Sequence, residues 1–222
     1  ASSTSSAPNE GVLDLGTGTG IAAAAALGEG RRVTGIDAAP GMLEIARREV
    51  PEATFREMDF GALDVEDATI DVAIAVHSLL FATDQVAVLG EWLRVTRRGG
   101  RLSLSVPGPA DVTPTAIYGE IYDRHGIDIT GRYPAPESLA AIAADAGWQE
   151  VNTAADPSTA IVLADPDAFR AWRAIGSRGA ATADLTPGQH EELTAQMLAV
   201  TPRGADGQLR IPFGTIYLTA RR

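Results

Sequence analysis

The stretch VLDLGTGTGI, Val12 to Ile21, sets Gly16, Gly18 and Gly20 at alternate positions directly behind a short apolar run. An apolar run of that length closed by glycine reads as a buried strand. The IAAAAAL that follows (21–27) consists of strong helix formers. Strand, tight turn and helix N-terminus together form the place where an open α/β sheet brings its backbone close to a ligand. A dinucleotide fingerprint requires G-x-G-x-x-G, its last glycine letting helix pack on strand. Here the third glycine arrives one position early, with Ile21 where the fingerprint has glycine. Asp14 stands inside the strand, two residues before the first glycine, where a carboxylate repels a pyrophosphate and attracts a cation.

Outward from this turn the chain alternates. RRVTGID (31–37) reads as a second strand, and Pro40 opens a helix over GMLEIARREV (41–50) with Met42, Ile45, Ala46 and, weakly, Glu49 on one side; Pro51 stops it. ATFREMDF (53–60) is a third strand, and DVAIAVHSLL (71–80) a fourth, apolar on both faces as in the middle of a parallel sheet. QVAVLGEWLRVT (85–96) is an amphipathic helix closed by Gly99 and Gly100, and RLSLSV (101–106) a fifth strand. The alternation predicts a doubly wound, mostly parallel α/β sheet with crossover helices on both faces. PESLAAIAADAGW (136–148) is a further helix, 149–154 a strand, and IPFGTIYLTA (211–220) a last strand with Gly214 inside it. The rhythm breaks over 107–135 and 155–208. The organisation expected is one domain, with a flexible lead (1–11), a core of 12–106, 136–154 and 209–222, and two substrate-side inserts.

Composition narrows the function. Of 222 residues, 45% are hydrophobic and 21% charged, an ordinary globular balance. With no cysteine there is neither a disulfide framework nor a thiolate site, and His77, His125 and His190 are too scattered for a local zinc motif, so no metal is expected. A net charge of −11 and a pI near 4.7 disfavour nucleic acid, and no apolar run is long enough to cross a bilayer. The expectation is a cytoplasmic protein, monomer or homodimer, acting on a small molecule.

VLDLGTGTG resembles the first motif of the class I S-adenosylmethionine-dependent methyltransferases, the small-molecule (type 11-like) group. VTGIDAAPGMLEIAR, REMDF, DVAIAVHSLLF and WLRVTRRGGRLSLSVPGP resemble their following motifs in order, and PESLAAIAADAGWQEV the segment closing the core. The resemblance implies a seven-stranded Rossmann-like methyltransferase sheet with helical inserts after strands 5 and 6, and S-adenosyl-L-methionine as cofactor. It implies that Gly16, Thr17, Gly18 and Gly20 bring backbone against the methionine part, and that Asp14 favours its cationic charge. Asp37 would take the ribose hydroxyls, Ala38 and Met42 pack on the adenine, Asp59 bind its amino group, and Phe60 lie beside the ring. By themselves, Asp37 reads equally as a charge at a helix N-terminus, Asp59 as a loop carboxylate, and Met42 as core.

His77, at the end of the fourth strand, reads as a cofactor-side wall or as a base for a hydroxyl or amine acceptor. Tyr118, Tyr122 and His125 share one helix face in the first insert and, with Trp172 and Arg173 in the second, read as substrate-pocket residues or as pins for the inserts. The sequence departs from the family pattern in having only eleven residues before Val12, where that family carries covering helices, and Arg98 where proline is common. The function expected is methyl transfer to an O, N or C nucleophile of a small metabolite. The competing readings are a nicotinamide-dependent oxidoreductase and a non-catalytic protein that binds the same cofactor.

Overall fold

The computed structural model describes residues 9–28, 30–108, 113–127, 135–174, 179 and 181–222. Most of the lead, and residues 109–112, 128–134, 175–178 and 180 of the inserts, lie outside them. The chain divides into two compact units: residues 1–106, 136–154 and 217–222, and residues 107–135 and 155–216.

The first unit begins with β1 (Gly11–Leu15), the glycine bend and α1 (Ile21–Leu27). Gly20 caps α1 in a left-handed conformation (φ 87°), and the alanines let the helix lie close, with Ala23 and Ala26 buried. β2 (Arg32–Asp37), α2 (Pro40–Glu49) and β3 (Thr54–Glu57) follow, then β4 (Ile70–Val76), a short 3-10 turn (Leu79–Phe81), α3 (Gln85–Val95) and β5 (Thr96–Pro107). With β6 (Gln149–Asp156) and β9 (Thr215–Arg221), the strands form one sheet in the order β3-β2-β1-β4-β5-β9-β6. The β1–β2, β2–β3, β1–β4 and β4–β5 pairs are parallel. The sheet is the mostly parallel, seven-stranded, doubly wound one expected. β1 has β2 on one side and β4 on the other, so the chain reverses its direction of travel across the sheet there. The carboxyl end of β1 is therefore a topological switch point, where such sheets hold ligands.

Local periodicity misplaces several details. The inner face of α2 is Leu43 and Ala46, with Val50 just beyond the helix, whereas Met42 is 44% exposed. Gly99 and Gly100 do not close α3. Thr96 turns extended (ψ 131°) while its hydroxyl donates to the Trp92 carbonyl, so the strand starts at once. Pairing then passes from Ile70–Thr96 to Val72–Arg101, an irregularity that absorbs residues 97–100.

In the second unit, α4 (Pro114–Arg124), α6 (Pro166–Ala174) and α7 (Pro187–Val200) accompany an antiparallel pair, β7 (Ala160–Leu163) with β8 (Leu209–Pro212); α5 (Pro136–Asp145) belongs to the first unit. The expected single strand 211–220 is thus two strands, β8 and β9, parted at Phe213 and Gly214. The inserts carry a small sheet as well as helices. Tyr118, Ile121, Tyr122, Phe169, Trp172, Leu193, Met197, Leu209 and Ile211 form this unit's own buried core. Among the described residues no helix is long and apolar enough to cross a membrane.

Candidate active site

The loops at the carboxyl ends of β1, β2, β3 and β4 enclose a cavity of about 660 Å³. Its floor is the glycine bend. The amides of Gly16 and Thr17 both donate to the Ile36 carbonyl, at 2.9 and 2.8 Å, and the Gly18 amide donates to Asp37 Oδ2 at 2.9 Å. These bonds stitch the bend to β2. Gly16 (φ 74°) has no room for a side chain, since a Cβ there would meet Ser78 Cβ at 2.5 Å. Gly18 (φ 56°) differs: a Cβ would meet nothing within 4 Å, because the backbone borders open space.

Asp37 ends β2 on the cavity rim. Its Oδ1 accepts from the Ala39 amide at 2.9 Å while Oδ2 holds Gly18. A carboxylate oxygen has two acceptor positions, so each retains one for a ligand. Asp59 also lines the cavity, with Oδ1 accepting from Gly61 N at 2.8 Å. Phe60 is fixed from behind by Trp92, whose ring meets it edge-on at 6.1 Å and whose Nε1 donates to its carbonyl at 2.9 Å. Ala38, Met42, Val76 and Phe81 complete apolar walls, and Phe81 remains 65% exposed. The described lining contains two aspartates and no lysine or arginine.

His77 follows β4 in a left-handed conformation (φ 54°), its amide donating to the Ser105 carbonyl at 2.9 Å. Such a conformation is uncommon for a residue with a side chain and holds the imidazole at the cavity wall. Burial lowers its pKa below the usual histidine value, so the ring is neutral at pH 7.

Asp14 and Thr17 lie beneath the bend rather than on the cavity lining, and Gly20 packs against Val50 and Ala46. Asp14 is fully buried; its Oδ2 accepts from Thr17 Oγ1 at 2.6 Å. Burial raises its pKa to about 6 against the opposing pull of the Thr17 bond. Asp37, Ala38, Met42, Asp59, Phe60 and His77 meet around the space with Gly16 and Gly18. Ala39, Val76, Ser78 and Phe81 join them without having been singled out in the sequence. The signal for Ser78 and Phe81 was their place in HSLLF, directly behind a strand pointing at the switch point. Ser78 is anchored by donating to the Leu15 carbonyl at 2.6 Å, across 63 residues of sequence.

The expected substrate residues lie in the second unit. Tyr118, Tyr122 and Trp172 are part of its core, Tyr118 Oη lies 2.7 Å from Thr201 Oγ1, and His125 Nε2 lies 3.4 Å from Gln196 Oε1. Arg173, buried, donates from Nη2 to His190 Nδ1 at 2.7 Å. Among the described residues no group of three or more histidines and carboxylates could hold a metal.

A family model described as a methyltransferase domain matches residues 13–104. The chain is 34% identical to a demethylmenaquinone methyltransferase of Thermus thermophilus, over 62% of this chain and 73% of that one. It is 37% identical to a malonyl-[acyl-carrier protein] O-methyltransferase of Serratia marcescens, over 46% of this chain and 40% of that one. The fold is similar to that of Haemonchus contortus phosphoethanolamine N-methyltransferase 2, solved in complex with S-adenosyl-L-methionine. The TM-score is 0.61 at 16% identity, covering 98% of this chain and 49% of that one. The chain thus spans less than half the length of the Serratia and Haemonchus proteins.

Proposed function

The chain belongs to the class I S-adenosylmethionine-dependent methyltransferases, and from that premise we propose that its cavity binds S-adenosylmethionine and that the protein passes a methyl group to an oxygen, nitrogen or carbon nucleophile of a small metabolite. The observation that carries this reading is Asp37: a carboxylate on the cavity rim, oriented by two backbone amides, with an acceptor position left on each oxygen. That is the arrangement a vicinal diol needs.

The remaining lining fits the same group. Gly18 leaves backbone bare beside the open space, where a bulky amino-acid-and-sulfonium moiety can lie. Asp37 and Asp59, without a basic neighbour in the described lining, suit a cationic ligand and leave a pyrophosphate no counter-charge, which disfavours the nicotinamide alternative. Ala38, Met42 and Phe60 give an apolar slot for a purine, with Asp59 at its edge for an exocyclic amine. Buried Asp14 would act on the cation from beneath the bend, and Thr17 and Gly20 would hold the shape of the bend.

The cofactor, when bound, supplies a methyl group already activated on sulfur. The protein's share is to bind, align and dehydrate, and alignment alone can supply much of the rate. His77 is neutral at the cavity wall, the state required to accept a proton from a hydroxyl or ammonium acceptor. The test is calorimetric titration of the protein with S-adenosylhomocysteine. Saturable binding is expected; no heat at millimolar ligand refutes the reading.

A further inference from the structure

β1 and β4 part at the switch point. Their pairing ends at Asp14–Ile74, whereas β1 stays beside β2 as far as Leu15–Ile36 and β4 beside β5 as far as Val76–Ser105. Across that opening, buried Ser78 donates from Oγ to the Leu15 carbonyl at 2.6 Å. Ser78 stands at the N-cap of the 3-10 turn, where a serine oxygen ordinarily accepts from the amides of the first turn, yet its side chain makes no such bond. Its hydroxyl goes to β1 instead. The Leu15 carbonyl and the Gly16 amide belong to one planar peptide. Ser78 holds the oxygen of that peptide, and its N–H donates to the Ile36 carbonyl at 2.9 Å, so the first peptide of the glycine bend is clamped from both sides. The His77 amide donates in turn to the Ser105 carbonyl at 2.9 Å. A line of bonds thus joins the ends of β5, β4, β1 and β2 around the cavity, which Gly16, His77 and Ser78 all line.

We propose that Ser78 is a positioning residue: by fixing the Leu15–Gly16 peptide, its hydroxyl shapes the half of the cavity that takes the amino-acid end of the cofactor and leaves the nucleoside half alone. The inference deepens the cofactor reading and rests on it. A planar peptide held at both its oxygen and its nitrogen sets the direction in which the bend leaves β1, and so how Gly18 presents bare backbone to the open space. Without the hydroxyl, the ligand must order the bend as it binds, which costs affinity. The nucleoside half is built separately. The Ala39 amide holds Asp37 Oδ1 at 2.9 Å, the Gly61 amide holds Asp59 Oδ1 at 2.8 Å, and Trp92 backs Phe60. None of these contacts involves Ser78.

The experiment titrates the whole protein calorimetrically with S-adenosylhomocysteine and with adenosine, which lacks the amino-acid end. The wild type should bind both. In Ser78→Ala, which keeps the Cβ and removes the hydroxyl, S-adenosylhomocysteine affinity should fall by roughly 3- to 10-fold, the scale of one hydrogen bond, while adenosine affinity stays unchanged. Ser78→Cys, similar in shape with a weaker donor, should lie between the wild type and the alanine variant. Thermal melts should show both variants folded, so that a loss confined to the longer ligand is not a loss of fold. If Ser78→Ala binds S-adenosylhomocysteine as tightly as the wild type, or if both ligands weaken together, Ser78 does not position the bend and the proposal is refuted. An alanine variant that does not fold makes Ser78 a structural serine and refutes it as well. A wild type that binds S-adenosylhomocysteine but not adenosine refutes a separately built nucleoside half, and the proposal with it. If S-adenosylhomocysteine fails to bind the wild type, the cofactor reading itself falls, an outcome distinct from all of these.

Discussion

The Gly18 amide donates to Asp37 Oδ2 at 2.9 Å, so the carboxylate that borders the cavity also pins the bend that floors it. Removing it does two things at once. Asp37→Ala should weaken S-adenosylhomocysteine by about 1–3 kcal/mol, the scale of losing hydrogen bonds to a charged acceptor. Asp37→Asn should do nearly as badly, because an amide nitrogen must then face the Gly18 or Ala39 N–H. Calorimetry on both variants checks this, and unchanged affinity removes Asp37 from the site.

Alanine at Gly16 and at Gly18 should separate folding from binding. Both positions require a left-handed backbone, which costs a side-chain-bearing residue roughly 1–2 kcal/mol. At Gly16 the new Cβ also strikes Ser78, so Gly16→Ala should lower thermal stability more. At Gly18 the methyl enters open space, and Gly18→Ala should cost affinity beyond its modest stability loss. Thermal melts paired with titrations read both quantities.

The buried Asp14 carboxyl makes a pH prediction with a definite sign. Its pKa is raised to about 6 in the fold from 3.8, so the folded state holds a proton that the unfolded state releases between those values. The stability this group contributes is complete below pH 3.8 and is lost as pH rises through 6, by roughly 2–3 kcal/mol. Asp14→Asn, neutral throughout, should be the more stable protein at pH 7 to 8, and the advantage should vanish near pH 4. Calorimetric melts across that range decide it.

For His77 the sign is opposite. Burial lowers its pKa below 6.5, so the folded state resists the proton, and the stability concerned is present above the ordinary value and lost as pH falls through the lowered one. Imidazole resonances followed by NMR should titrate below the free histidine. His77→Asn should keep the backbone, since asparagine tolerates φ near 54°, and remove the acid limb of any pH–rate profile.

Tyr118→Phe tests the second unit separately. It deletes the bond to Thr201, whose hydroxyl still donates to the Met197 carbonyl at 2.7 Å. A loss of about 1 kcal/mol is expected, with unchanged S-adenosylhomocysteine affinity. A variant that melts normally but binds the cofactor product poorly contradicts this.

What could be read from the residues alone was whatever neighbours in sequence determine. A β1 strand, a bend requiring positive φ and an alanine helix need only local sterics, and Asp37 ends β2 because RVTGID is a strand. A mostly parallel sheet with crossover helices followed from regular alternation, whereas the strand order and the switch point at β1 came only with the fold. Tertiary structure decided the rest, because packing and register depend on partners far along the chain. It turned Met42 outward by burying Leu43 and Ala46 instead, and drew Asp14 under the bend. It brought Ser78 to Leu15 across 63 residues, paired residues 209–212 with β7 rather than with the final strand, and set Arg173 against His190. No local pattern encodes those encounters, since each is fixed only when distant surfaces compete for the same buried space.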